Sequence, residues 1–299
     1  MFANSLHFVR HVPIAILSSV ALLSFAYGAE PETASQRTTA ELQKSIVFRA
    51  SFDKDTSAEI GGGDKQIYTA ESLERKESKA GLQTKAVRWE RTDGPRAGAL
   101  HFTTATKELI YFKGLKNLPY REKNFQGSVS FWMKLSPKED LPKGYVDPLQ
   151  ITDKKWNDSS FFVDFDQTEE RPFRLGVFSD YKFWNPTDRK FDDIPMKERP
   201  MVPVTKWPFD RKRWTHVAFT WKGFNTDKPA SATLFLDGKS QGSLSTKQQF
   251  SWSPDKTVIM LGINYVGWLD DLVIFDRALA EPEVKILLAD GALAPVGNR

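Results

Sequence analysis

Between residues 46 and 276 apolar and polar positions alternate in short runs separated by turn residues, with almost no helical period. The clearest run is 128–135. Val129, Phe131, Met133 and Leu135 fall on one face of an extended chain, and Ser128, Ser130, Trp132 and Lys134 fall on the other. Residues 214–221 repeat it, with Thr215, Val217, Phe219 and Trp221 opposing Trp214, His216, Ala218 and Thr220. Further strands are expected over 46–51, 99–103, 109–112, 161–165, 173–178, 232–236, 258–262 and 268–275. Asp237-Gly238-Lys239 reads as a hairpin turn, because Asp and Gly tolerate the positive φ that tight turns demand. Only 281–289 has helical character: Pro282 lies in the first turn between two acids, Gly291 lies just beyond, and Val284, Leu287 and Leu288 form a docking face. Residues 180–212, aromatic and proline-containing, are the longest irregular connection, and connections of that length usually serve a function or are partly disordered.

The two ends of the chain read differently. Arg10 and His11 precede an apolar run over 12–26, and Ala26-Tyr27-Gly28 offers small residues for cleavage, so 1–28 is expected to be a signal peptide. Pro13, Ser18, Ser19 and Ser24 interrupt that run, which argues against a membrane anchor. Residues 29–44 are polar and without aromatics, a flexible lead-in to one domain over 45–291. The mature chain is then exported, periplasmic or extracellular, with no membrane span. Nine Trp and 22 Phe supply ample core material, and the absence of Cys removes thiol nucleophiles, zinc–thiolate sites and disulfides. The formal charge of +4 is spread among alternating signs, which argues against a nucleic-acid partner.

Six segments recur in a telling order: Val47-Phe48-Arg49-Ala50-Ser51-Phe52-Asp53, Gly98-Ala99-Leu100-His101-Phe102, Gly127-Ser128-Val129-Ser130-Phe131-Trp132-Met133, Trp214-Thr215-His216-Val217-Ala218, Leu234-Phe235-Leu236-Asp237-Gly238, and the run from Gly267 to Leu279. This order resembles bacterial laminin-G-like domains of the concanavalin A-like type. The whole also resembles exported proteins of planctomycete-type bacteria. The resemblance implies an all-β, two-sheet antiparallel jelly-roll sandwich with a short C-terminal helix. Lectins, glycosidases, lyases and interaction modules share that architecture, so function has to be read from sites.

Three candidate sites emerge. Asp164-Phe165-Asp166-Gln167-Thr168-Glu169 resembles the carboxylate strand of laminarinase-like glycosidases, whose retaining chemistry needs two carboxyl groups about 5–5.5 Å apart. Here Asp164 stands where those enzymes have Glu, and a strand running into an acidic turn is the competing reading. Asp53, in a Gly-rich loop, could join Asp270 and Asp271 of the last strand around calcium, which takes carboxylate and carbonyl oxygens. Pairing of these two acids with Arg277 competes. Tyr181, Trp184, Asn185 and Trp207 could offer rings and an amide to a glycan, or fold back as a local core. His101 and His216 are expected to be hydrogen-bonded structural residues. With no complete catalytic set, the expectation is an exported, non-catalytic module that binds a glycan or cell-surface protein. The alternative is a carbohydrate-active enzyme using Asp164, Asp166 and Glu169.

Overall fold

The computed structural model describes residues 1–2, 34–91, 94, 97–289 and 293. The expected signal peptide therefore lies almost wholly outside the described residues. In chain order the strands begin with β1 (Ile46–Ala50), β2 (Ile60–Gly61), β3 (Tyr68–Ala70), β4 (Ser78–Ala80), β5 (Val87–Glu90) and β6 (Ala99–Phe102). Then come β7 (Leu109–Lys113), β8 (Phe125–Lys134), β9 (Val146–Thr152), β10 (Ser160–Phe165), β11 (Phe173–Phe178) and β12 (Met201–Val204). The last are β13 (Thr215–Phe224), β14 (Ala230–Leu236), β15 (Lys239–Thr246), β16 (Val258–Ile263) and β17 (Gly267–Phe275). They form two antiparallel sheets. One runs β15-β14-β13-β8-β17-β1-β2, with β6 and β5 added through β17, and the other runs β12-β11-β10-β9-β16-β7-β3-β4. This is the expected two-sheet jelly-roll sandwich.

The alternation in the sequence sets which side chains lie between the sheets. Val129, Phe131 and Met133 of β8 and Val217, Phe219 and Trp221 of β13 are buried, facing Phe161, Val163 and Phe165 of β10 and Phe173, Leu175 and Val177 of β11. Phe161 sits at the centre of an aromatic layer, its ring centroid 4.7 Å from those of Trp221 and Phe250 and 5.9 Å from that of Phe219. Edge and stacked contacts of this kind add to simple burial.

Four short helices complete the described chain: α1 (Ala34–Lys44), α2 (Pro137–Asp140), α3 (Tyr181–Trp184) and α4 (Glu281–Ile286). Part of the stretch expected to be a flexible lead-in is thus helix α1. Its buried Leu42 joins Val284 and Leu287 against Ala218, Phe235, Val273 and Phe275 on the outer face of the nine-stranded sheet. A lone apolar anchor in a polar segment gives little periodicity to read. Strand β9 also escapes the pattern, because Asp147 and Pro148 interrupt it. Pro148 is skipped by the ladder to β16, which pairs Leu261 with Leu149 and Ile263 with Asp147, so its missing N–H leaves no strand bond unmade. The irregular stretch resolves into α3, two single 3-10 turns and the edge strand β12. Among the described residues no helix is long and apolar enough to cross a membrane.

Replacing Phe161 or Phe219 with Ala is expected to cost about 3–5 kcal/mol, a large part of the roughly 5–15 kcal/mol typical of a domain. Urea unfolding of the purified variants measures it. A loss below about 1 kcal/mol at both positions would show that the aromatic layer does not hold the sheets together.

Candidate functional site

The pleat that sends Phe161, Val163 and Phe165 inward sends Ser160, Phe162 and Asp164 outward, onto the free face of the eight-stranded sheet. Strand registers align these residues in rows. Asp164 is opposite Arg174 across β10 and β11, and Asp147 comes from β9 on the other side of Asp164, where the β9–β10 ladder slips. One pleat along, Tyr111, Met260, Gln150, Phe162, Gly176 and Met201 form a continuous cross-strand row through six strands. Gly176 is required there: a Cβ on it would lie 2.2 Å from the tip of the Phe162 ring.

Above these rows is a pocket of about 640 Å³. Its polar floor is Asp147, Gln150, Asp164 and Arg174, and its apolar walls include Tyr145, Trp156, Phe162, Phe191, Met201, Met260 and Ile263. Trp156, 39% exposed, stands edge-on to Phe178 at 5.4 Å and to Phe191 at 5.0 Å between centroids. Phe162 in turn stacks on Phe178 at 5.5 Å. The wall is thus braced from behind.

Arg174 organises the polar end. Its Nε donates to Asp164 Oδ1 at 2.9 Å, its Nη2 donates to Asp164 Oδ2, and its Nη1 donates to Asp166 Oδ2. The ring of Tyr145 lies 5.1 Å from the guanidinium carbon. Arg171 clamps the base of the hairpin, donating to the carbonyls of Gly144, Asp166 and Pro142. Burial raises the Asp164 carboxyl to about 6 against the opposing pull of Arg174, and neighbouring Asp166 adds to the rise. Asp147 is pushed well above the usual carboxylate range, first by burial and then by the charge of Asp164, against an opposing pull from Arg174. Among the described residues neither Asp147 nor Gln150 has a side-chain hydrogen-bond partner, although Gln150 is only 6% exposed.

The residues expected from sequence are distributed as follows. Asp164 and Asp166 are brought together on one guanidinium, whereas Glu169 stands exposed in the turn after β10. Asp164 and Asp166 thus share one guanidinium, which fixes the direction of both carboxyl groups. The aromatic segment is occupied with its own packing. Trp184 donates its indole N–H to Asn157 O at 2.8 Å and stands edge-on to Phe178, behind the pocket wall. Buried Asn185 spends its amide on Tyr181 Oη, Arg189 O and Arg189 N. Tyr181 donates its hydroxyl to Asp188, and Trp207 donates to Arg171 O and packs on Phe209, away from Trp184. Asp271 faces Arg49 at 3.2 Å, while Arg277 binds Glu283 instead. Asp270 Oδ2 and Gly98 O lie 2.6 and 2.2 Å from the position a Gly94 Cβ would take, and a Cβ on Gly98 would meet Phe52 O at 2.3 Å. Asp53 Oδ1 is buried without a hydrogen-bond partner. No group of three His, Cys, Asp or Glu side chains able to hold a metal ion is found among the described residues. His216 Nε2 meets Ser130 Oγ at 2.8 Å, and His101 stacks on Trp268 at 3.8 Å.

The Laminin_G_3 family model, described as the concanavalin A-like lectin/glucanases superfamily, matches residues 115–285. The chain belongs to this family. The matched segment of this Laminin_G_3 chain includes β9, β10, β11 and β16, the strands that carry the pocket floor. No curated protein matches the sequence. Among solved structures, domain 4 of AbnA, a GH43 extracellular arabinanase from Geobacillus stearothermophilus in complex with arabinotriose, aligns with a TM-score of 0.54 at 18% identity, covering 82% of this chain and 98% of that one. The serotype D botulinum neurotoxin ligand-binding domain with N-acetylneuraminic acid aligns at 0.52 and 12% identity, covering 84% and 52%. The neurotoxin DC binding domain with rat synaptotagmin II aligns at 0.52 and 14%, covering 82% and 51%. The chain thus corresponds to about half of each neurotoxin chain. At these identities the likeness is one of fold.

The raised carboxyls give a stability test. A folded state that holds protons longer than the unfolded chain is most stable below the unfolded pKa of about 4, and loses that advantage as pH rises through the folded values. Asp147→Asn removes one such group. Its melting temperature should exceed that of the wild type near pH 8 and converge with it near about pH 4. A wild type that is more stable than the variant near pH 8 would mean that Asp147 is well stabilised as a carboxylate.

Proposed function

We propose that the chain is an exported, non-catalytic binding module and that its ligand is a glycan seated in the pocket on the eight-stranded sheet. The observation that carries this reading is the pairing of a braced aromatic wall with a rigid polar floor. Sugar rings present apolar C–H faces that suit Trp156, Phe162 and Phe191, while their hydroxyls suit Gln150, Asp147 and the outer edges of the Asp164–Arg174 pair. The fold's occurrence in an arabinanase domain bound to arabinotriose and in a neurotoxin domain bound to N-acetylneuraminic acid supports the reading. A neurotoxin domain bound to synaptotagmin II keeps a cell-surface protein as the other partner class to test. Within this proposal Trp156 takes the contact role first expected of Trp184, because it is the ring that faces the opening. Calcium, held by Asp53 and Asp270 with backbone carbonyls, is proposed as a structural ion.

A glycan array on residues 29–299 tests the function. The expected result is retention of a defined set of saccharides, with Trp156→Ala losing about tenfold or more in affinity, roughly 1.4 kcal/mol, at unchanged melting temperature. Retention unaffected by Trp156→Ala would place the site elsewhere, and polysaccharide cleavage would establish the enzymatic alternative. Calcium should raise the melting temperature relative to chelator, since it stabilises only the folded form. A curve indifferent to both removes the ion.

A further inference from the structure

The polar end of the pocket is not balanced. All three donor nitrogens of Arg174 are committed to Asp164 and Asp166, and its flat face is against Tyr145. Asp147 sits beside this group with no cation, no N–H donor and no hydroxyl of the protein on its carboxyl. Gln150, on the same strand and 6% exposed, lines the same floor with an amide that bonds to nothing in the protein. A carboxyl and an amide left unpartnered together are two contacts waiting for one ligand.

The sign of the ligand follows from the charges around Asp147. Facing it are Asp164 from β10, with Asp166 just beyond, and Arg174 from β11, while β16 contributes uncharged Met260 and Ile263 and the following loop Asn264. Tyr145 leads into β9, and Asp192 and Arg199 act on Tyr145 from outside. Glu74, Arg75, Lys154 and Lys155 also line the pocket. Lys154 is engaged with Asp158 and Asp180, at 3.6 and 3.5 Å. A ligand carboxylate placed on this floor would meet Asp147 and Asp164 with like charge. A ligand ammonium would add a positive charge beside Asp147, where Arg174 is already shared between Asp164 and Asp166. Resting on the glycan reading above, we propose that the pocket selects saccharides bearing a free primary amine, with the ammonium on Asp147 and a neighbouring hydroxyl on Gln150.

Isothermal titration of residues 29–299 at about pH 6, where a sugar ammonium carries its proton, tests this with three probes: the β-1,4 trisaccharide of glucosamine, its fully N-acetylated form, and cellotriose. The amine form should bind about tenfold or more tightly than either neutral form. Its advantage should shrink as salt is raised, and the neutral probes should show no such dependence. Asp147→Asn should reduce the preference ratio to near unity. The preference and its salt dependence are read on the wild type, so they stand even if the variant fails to fold. Equal affinity for the three probes, or a preference that survives Asp147→Asn, overturns the amine assignment and leaves the glycan reading intact. Failure of all three probes, together with an empty glycan array, removes the glycan reading itself.

Discussion

The structure depends on one constraint: the side chains of β10 and β11 that face the sandwich interior are all large and apolar, and they have no second place to go. Phe161, Val163, Phe165, Phe173, Leu175 and Val177 are buried to the last ångström of surface. A slip of one residue in either strand would drive Asp164 or Arg174 into the aromatic layer and expose three apolar side chains. Register is therefore fixed by the core, and the outward residues inherit that precision without contributing to it. The polar row and the Phe162–Gly176 contact are where they are because Phe161 is where it is.

Burying the charged cluster on that row is not in itself a gain in stability. A buried ion pair repays its desolvation only with good geometry, and similar apolar replacements are often as stable. What Arg174 does provide is direction. It holds two carboxylates, from Asp164 on β10 and Asp166 in the hairpin turn, while Arg171 ties that turn to the segment leading into β9. The three strands that present the floor are thereby locked to one another at their polar end, as the aromatic layer locks them beneath. Such a floor changes little on binding, which lowers the ordering cost of holding a ligand.

Much of this was legible in the sequence because it depended on alternation. The strands around Phe131, Phe219, Phe161 and Leu175, and hence the sandwich itself, followed from period two. Arg174 could have been found in the same way, since Phe173, Leu175 and Val177 on one face leave Arg174 on the other, opposite Asp164. Other features are non-local and left no local mark. Strand β9 was hidden by Asp147 and Pro148, whose place is at a ladder slip that only the neighbouring strands define. Helix α1 was hidden because its one buried anchor, Leu42, owes its burial to α4 and β17, far along the chain. Trp184, Asn185 and Trp207 stood out by composition, and the backbone carbonyls they bond to could not be read from it. Trp156 lies in a short loop that composition does not distinguish.

The central claim is that the free face of the eight-stranded sheet, over Asp147, Gln150 and Arg174, is where this protein meets its ligand. Crystallographic difference density for the protein soaked with the oligosaccharide it retains best tests that claim most directly. The expected result is a sugar ring against Trp156 and Phe162, with polar contacts to Gln150 and the Asp147 carboxyl. Density confined to the exposed edges of Tyr181 and Trp207, or to the nine-stranded sheet, with the pocket filled only by water, would contradict it.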